Sequence, residues 1–236
     1  MKLLAVSPHL DDAAFSAGGL LAARAAAGWQ VTVATCFTGN VARPHGFALA
    51  CQLDKGLGPD VDYMALRRAE DVAACAALGA TAVHLPFLEA PHRGYGSAPE
   101  LFAARLADDD AVDRLAPALA PLVADADLIL GPLCLGDHVD HWIVRDALEK
   151  VADDVLLWED WPYADRAPAT GEPVLVEPLT PATRTARIAA CAEYRSQLGF
   201  QFGGEEAMRA RVATISAERF HRPVRPPSAA PPPAFR

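Results

Sequence analysis

The chain has 236 residues, 52% of them hydrophobic and 22% charged, with 16 Gly, 20 Pro and a formal net charge of -9. That length suits one α/β domain with a sizeable core, and the composition excludes collagen, coiled coil and wholesale disorder. An excess of Asp+Glu (30) over Lys+Arg (21) speaks against nucleic-acid or anionic-membrane partners, because both demand a basic surface that neutralises phosphates.

Cys36, Cys51, Cys75, Cys134 and Cys191 are odd in number and form no CxxC pair, which suggests thiols in a reducing compartment and a cytoplasmic location. The start, MKLLAVSPHLDD, reaches Asp11 and Asp12 too early for a signal peptide, and no apolar stretch is long enough to span a bilayer. A homo-oligomer is compatible with all of this.

In chain order, Lys2 to Val6 reads as a buried strand, Ala13 to Ala27 as an alanine-rich helix closed by Gly28, and Gln30 to Phe37 as a β-branched second strand. Gly18 and Gly19 are expected to let this helix pack closely on the sheet. Met64 to Leu78 forms a helix stopped by Gly79, followed by a strand at Thr81 to Leu85, a helical stretch around Asp113 to Ala124 and a strand at Asp127 to Leu130. A helix from about His138 to Ala152, strands at Val155 to Trp158 and Pro173 to Glu177, and a helix from Pro181 to Leu198 complete the set. The alternation predicts a Rossmann-like α/β fold, a mostly parallel sheet with helices on both faces, over residues 1–221 as one domain.

Three stretches escape the pattern: Thr38 to Tyr63, Pro86 to Pro99, and Glu159 to Gly171. Each follows the carboxyl end of a predicted strand, where open α/β sheets bind ligands, so they are expected to wall a site. Residues 222–236 hold six prolines and are expected to form an extended or disordered tail.

Two clusters carry chemistry. Ser7-Pro8-His9-Leu10-Asp11-Asp12 lies where the first strand ends and the first helix begins, and offers an imidazole and two carboxylates. Alone, such an HxDD turn is more simply read as a helix cap. Gly136-Asp137-His138-Val139-Asp140-His141 follows the fourth strand, with His138 and His141 one helical turn apart. In a sheet ordered 3-2-1-4-5 the first and fourth strands are neighbours at the switch point, which brings both clusters together. Two imidazoles and a carboxylate around an open position are the ligands of a catalytic zinc. The first turn lacks the GxGxxG phosphate cradle, which disfavours a nucleotide-binding protein.

SPHLDDAAFSAGG and LGDHVDH resemble the two signature motifs of the PIG-L/LmbE-like zinc de-N-acetylases. The likeness extends to RRAEDVAACAALGA, LPFLEAPHR, WEDWPYA and RIAACAEYRSQL. The resemblance implies one zinc per chain bound by His9, Asp12 and His141, with Asp11 as general base. His138 would stabilise the oxyanion or act as general acid, and Asp140 would orient His138. Leu10 replaces the family's second proline, and Ala13 stands where many relatives carry a glutamate, which alters support around the ligands or the substrate pocket.

The implied activity is hydrolysis of an N-acetyl amino-sugar small molecule or glycoconjugate to acetate and a primary amine. Alternatives are a different amide, such as a mycothiol S-conjugate or a longer N-acyl natural product, and a metal-binding module without turnover. Arg67 and Arg68 are candidate substrate contacts, although solvated charge and an Arg67–Asp71 pair explain them as well. Trp161 and Tyr163 are candidates to stack on a sugar or to seal their loop. His45, His84 and His92 read as structural or exposed, and Cys134 as packing.

Overall fold

The computed structural model describes residues 1–223; from residue 224 onward the expected tail lies outside the described residues. In chain order the elements are β1 (Lys2–Ser7), α1 (Asp12–Ala26), β2 (Gln30–Thr35), α2 (Gly46–Asp54), α3 (Tyr63–Leu78) and β3 (Thr81–His84). They continue with α4 (Ala98–Leu101), α5 (Ala111–Ala124), β4 (Leu128–Pro132), α6 (Val139–Val151) and β5 (Leu156–Trp158). The last are β6 (Leu175–Pro178), α7 (Pro181–Glu193), α8 (Arg195–Phe202), α9 (Glu205–Thr214) and β7 (Ala217–His221).

The seven-stranded sheet runs β3-β2-β1-β4-β5-β7-β6. Its first five positions form the expected parallel 3-2-1-4-5 arrangement, and β7 and β6 extend it antiparallel. Successive side chains of a strand point to opposite faces, and the core divides accordingly. Leu3, Ala5, Val31 and Val33 meet α1, α3 and α7 to α9 on one face. Leu4, Val6, Ala34 and Leu157 meet α5 and α6 on the other.

Several elements differ from the sequence reading. The helix predicted from Pro181 to Leu198 breaks at Tyr194 (φ -79°, ψ 53°), whose hydroxyl donates to Asp71 Oδ1 at 2.7 Å. That tertiary anchor has no local signature. The segment 38–63 contains α2, whose sequence GFALACQLD is apolar at nearly every position and so shows no helical period. Strand β7 and helix α9 were not expected; β7 carries the charged Glu218 at a buried position, which hides its strand pattern.

Glu218 also explains the glycine pair. Its carboxylate accepts from the backbone N–H groups of Gly19 and Leu20, both at 2.7 Å, and lies 3.2 Å from Arg187 Nη1. Arg187 in turn donates to the Phe15 carbonyl. A Cβ on Gly19 would fall 2.1 Å from Leu179 Cδ2, and one on Gly18 would fall 3.0 Å from Arg187 Cγ. The glycines thus admit α7, Leu179 and a buried ion pair beside α1, a more specific role than packing on the sheet. Among the described residues, no helix is long and apolar enough to cross a membrane.

Candidate metal centre and active-site pocket

The β1–α1 and β4–α6 junctions meet because β1 and β4 pair. At the first, Ser7 Oγ donates to the His9 carbonyl at 2.7 Å and accepts from Ala13 N–H at 3.1 Å, folding the chain into a tight turn. Asp12 Oδ2 accepts from the His9 backbone N–H at 2.8 Å. Asp11, at the N-cap of α1, makes no side-chain capping bond and has a φ of 156°, a backbone value that L-residues rarely adopt. Its carboxylate is directed elsewhere: Gln201 Nε2 donates to it at 3.1 Å, and Arg67 Nη2 lies 3.4 Å away.

His9, Asp12 and His141 each aim one ligand atom into a common point, all within 4.8 Å of one another. Asp12 Oδ2 is 3.2 Å from His9 Nδ1 and 3.4 Å from His141 Nε2. His141 Nε2 is buried without a hydrogen-bond partner, an arrangement that costs free energy unless something accepts its lone pair. The opposite ring nitrogen, Nδ1, is held by Asp160 Oδ1 at 2.9 Å; Asp160 Oδ2 accepts from Leu135 N–H at 2.9 Å. A carboxylate behind an imidazole in this way fixes its tautomer and raises its basicity toward a cation. The donor set fits a divalent metal.

A second grouping, His9 with His138 and Asp140, is equally compact, but its carboxylate is already engaged. Asp140 Oδ2 accepts from Ala90 N–H at 3.1 Å and meets His9 Nε2 at 2.9 Å, while Oδ1 accepts from Arg93 at 2.7 Å. Asp140 therefore supports His9 with its side chain, whereas the resemblance had it orient His138. His138 is oriented by the backbone of Asp140, whose N–H donates to His138 Nδ1 at 3.2 Å. That bond makes Nδ1 the acceptor and leaves the proton of the neutral ring on Nε2.

The electrostatics separate the groups. Burial raises the Asp11 carboxyl to about 7, opposed by Arg67 and reinforced by Asp12. Burial and the proximity of His9 lower His138 to about 3, so it is neutral around pH 7. Asp12 is held well below the usual carboxylate range by His141 and His9 despite its burial. Burial pulls His9 down, but hydrogen bonds to Asp12 and Asp140 lift it to about 9.

The cluster opens into a cavity of about 510 Å³ lined by His9, Asp11, Asp12, Arg67, His138 and Tyr163, with an apolar wall that includes Phe47 and Phe200. All three irregular stretches contribute to it: Phe47, Cys51 and Lys55 from 38–63, Glu89, Pro91 and Ala98 from 86–99, and Tyr163 from 159–171. Arg67 lines the cavity with both terminal nitrogens engaged: Nη1 donates to Glu89 Oε1 and Nη2 to the Leu10 carbonyl, both at 2.8 Å. The expected Arg67–Asp71 pair does not form, because Asp71 receives His84 at 2.8 Å as well as Tyr194.

Arg68 donates to the Thr38 carbonyl at 2.8 Å and is not part of the cavity wall. Trp161 is buried, stacked on Phe202 at 4.9 Å, and seals the loop. Tyr163 faces the site, its ring 5.6 Å from that of His141. Cys134 is buried and its thiol is pushed up by burial, in keeping with packing.

Sequence reasoning overlooked Asp160, Glu89, Arg93 and Gln201. The first three sit inside WEDWPYA and LPFLEAPHR, so the stretches were noticed without their carboxylate or guanidinium being assigned. Gln201 lies beyond every motif and is delivered by α8.

A Rossmann-like α/β protein with a His/Asp cluster fit for a divalent cation at the carboxyl ends of β1 and β4 is the class that fold and site define. The chain matches the family of GlcNAc-PI de-N-acetylases, PIG-L, over residues 4–152 and belongs to it. The matched span contains both clusters and ends before Asp160 and Tyr163. It is 35% identical over 175 residues to 2'-N-acetylparomamine deacetylase of Streptomyces fradiae, a match covering 71% of this chain and 60% of that protein's length.

Among solved structures, it is similar to the zinc-inhibited form of teicoplanin deacetylase, with 28% identity and a TM-score of 0.82 over 97% of this chain and 100% of the other. It is also similar to A40926 pseudoaglycone deacetylase, with 29% identity and a TM-score of 0.78 over 94% and 96% of the two chains.

Proposed function

We propose that residues 1–221 form a zinc-dependent de-N-acetylase that cleaves the acetamide of an amino-sugar-containing small molecule, yielding acetate and a primary amine. The observation that carries this reading is the convergence of His9, Asp12 and the unpartnered Nε2 of His141 beside Asp11, a buried carboxylate left free of any capping role. His9, Asp12 and His141 would hold the zinc. When bound, zinc supplies Lewis acidity, which lowers the pKa of water toward roughly 7 and polarises a carbonyl.

The chain's own residues account for the remaining steps. Asp11 accepts the proton of the attacking water and returns it to the amide nitrogen as the C–N bond breaks; a carboxyl raised to about 7 is suited to gain and release a proton near neutrality. His138 donates Nε2–H to the amide oxygen as negative charge grows there, and its neutral state keeps that proton in place. Arg67, neutralised by Glu89 and braced on Leu10, limits how far the Asp11 carboxyl rises and fixes its position. Phe102 and Tyr163 flank His138 and His141, with ring centroids 5.3 and 5.6 Å away. The amino-sugar substrate class is supported by the relatives, one of which deacetylates 2'-N-acetylparomamine.

The test is metal analysis of the purified protein followed by a primary-amine release screen over N-acetylated amino sugars. One zinc per chain with acetate and amine released in equal amounts is the expected result. A fully metal-loaded protein that releases neither from any N-acyl substrate would instead make it a metal-binding module.

A further inference from the structure

A second concavity of about 440 Å³ adjoins the active-site cavity, and Phe102 lines both. Its other walls include Arg105, Asp137, Val139, Trp142 and Asp146. Val139, Trp142 and Asp146 fall at i, i+3 and i+7 of α6, so one face of that helix builds the floor. The groove starts at His138: Asp137 and Val139 are its chain neighbours, and the Phe102 ring stands 5.3 Å from the His138 ring.

Two large aromatic groups are exposed here, Phe102 by 45% and Trp142 by 38%. Arg145 packs over the Trp142 ring at 5.2 Å but does not line the groove. The polar groups lean acidic. Asp146 is paired with Arg105 at 2.8 Å, whereas Asp137 is exposed and has only a long 3.4 Å contact with Trp142 Nε1. An aromatic platform with an under-used carboxylate suits a hydroxylated ring that carries a protonated amine, stacked by its apolar face and paired through its ammonium.

We infer that this groove is a second subsite, which binds an amine-bearing sugar or cyclitol ring attached to the ring that is deacetylated. The inference rests on the proposed deacetylase reading for its orientation, with the scissile acetamide at His138 and the second ring over Trp142. It makes Trp142 and Asp137 specificity residues, neither of which belongs to the proposed metal-ligand set of His9, Asp12 and His141.

The test is calorimetric binding to the full chain of glucosamine as a one-ring probe, paromamine as a two-ring cationic probe, and N,N'-diacetylchitobiose as a two-ring neutral probe. Paromamine should bind more tightly than glucosamine. Trp142→Ala should cut that preference by about 3- to 10-fold, the range expected for one aromatic stacking contact. Asp137→Asn should weaken paromamine but not the neutral probe, with the effect fading as salt is raised; Asn tolerates the positive φ of 62° at this position.

A paromamine-to-glucosamine ratio that is near one in the parent, or unchanged in both variants, would overturn the subsite. Absence of detectable binding by all three probes would overturn it as well. Amine release is read separately: a parent that keeps the paromamine preference but hydrolyses no N-acetylated probe removes the deacetylase reading and leaves the subsite standing.

Discussion

Replacing Asp160 with Asn probes the proposed metal centre without replacing any of its proposed ligands. Asp160 spends its two oxygens on two donors, His141 Nδ1 and Leu135 N–H, each at 2.9 Å. An Asn side chain has one acceptor oxygen, so one buried donor faces an NH₂ group, which costs about 1–3 kcal/mol of stability. The charge behind His141 is lost in either orientation, and loss of such support weakens metal binding by about 10- to 100-fold, or ~1.4–2.8 kcal/mol. Competition against a chelator of known affinity measures the second effect, and thermal unfolding of the metal-free protein measures the first. A variant with a lowered Tm but parental metal affinity would show that Asp160 anchors the Leu135 loop and contributes nothing to His141 as a ligand.

Asp11→Asn should retain metal and lose roughly 10²–10⁴-fold in turnover, whereas Asp12→Asn should lose metal and regain part of its activity when metal is added; equal metal content and equal rates in both would contradict the division of roles. Gly19→Ala pits helix propensity, which favours Ala by about 1 kcal/mol, against a Cβ placed 2.1 Å from the buried Leu179 side chain. The clash should win, with a net loss of about 1–3 kcal/mol in urea unfolding, and a rise in stability would refute the packing of Leu179 and Glu218 against Gly19.

The sequence by itself determined the parallel half of the sheet and the two clusters at its centre. Alternating strand and helix periods are local properties, and the switch-point rule converts that order into the adjacency of β1 and β4, which is why the two clusters were legible as neighbours; the family resemblance, rather than periodicity, singled out His9, Asp12 and His141 as the proposed metal set. What only the tertiary structure decided are the partners that come from far along the chain. Asp160 reaches His141 from the loop after β5, Arg93 reaches Asp140 from the stretch after β3, and Gln201 reaches Asp11 from α8.

The division of labour at Asp140 belongs to the same class. Its carboxylate turns to His9 because Arg93 and the Ala90 N–H hold it there, leaving its backbone to orient His138. The break at Tyr194 and the buried charge of Glu218 were hidden for a related reason. A hydrogen bond to Asp71 and an ion pair with Arg187 are long-range compensations, and they reverse what local helix and strand patterning favours. Periodicity records which face of an element is buried; which polar group satisfies another 19 to 190 residues away is fixed only when the chain closes on itself.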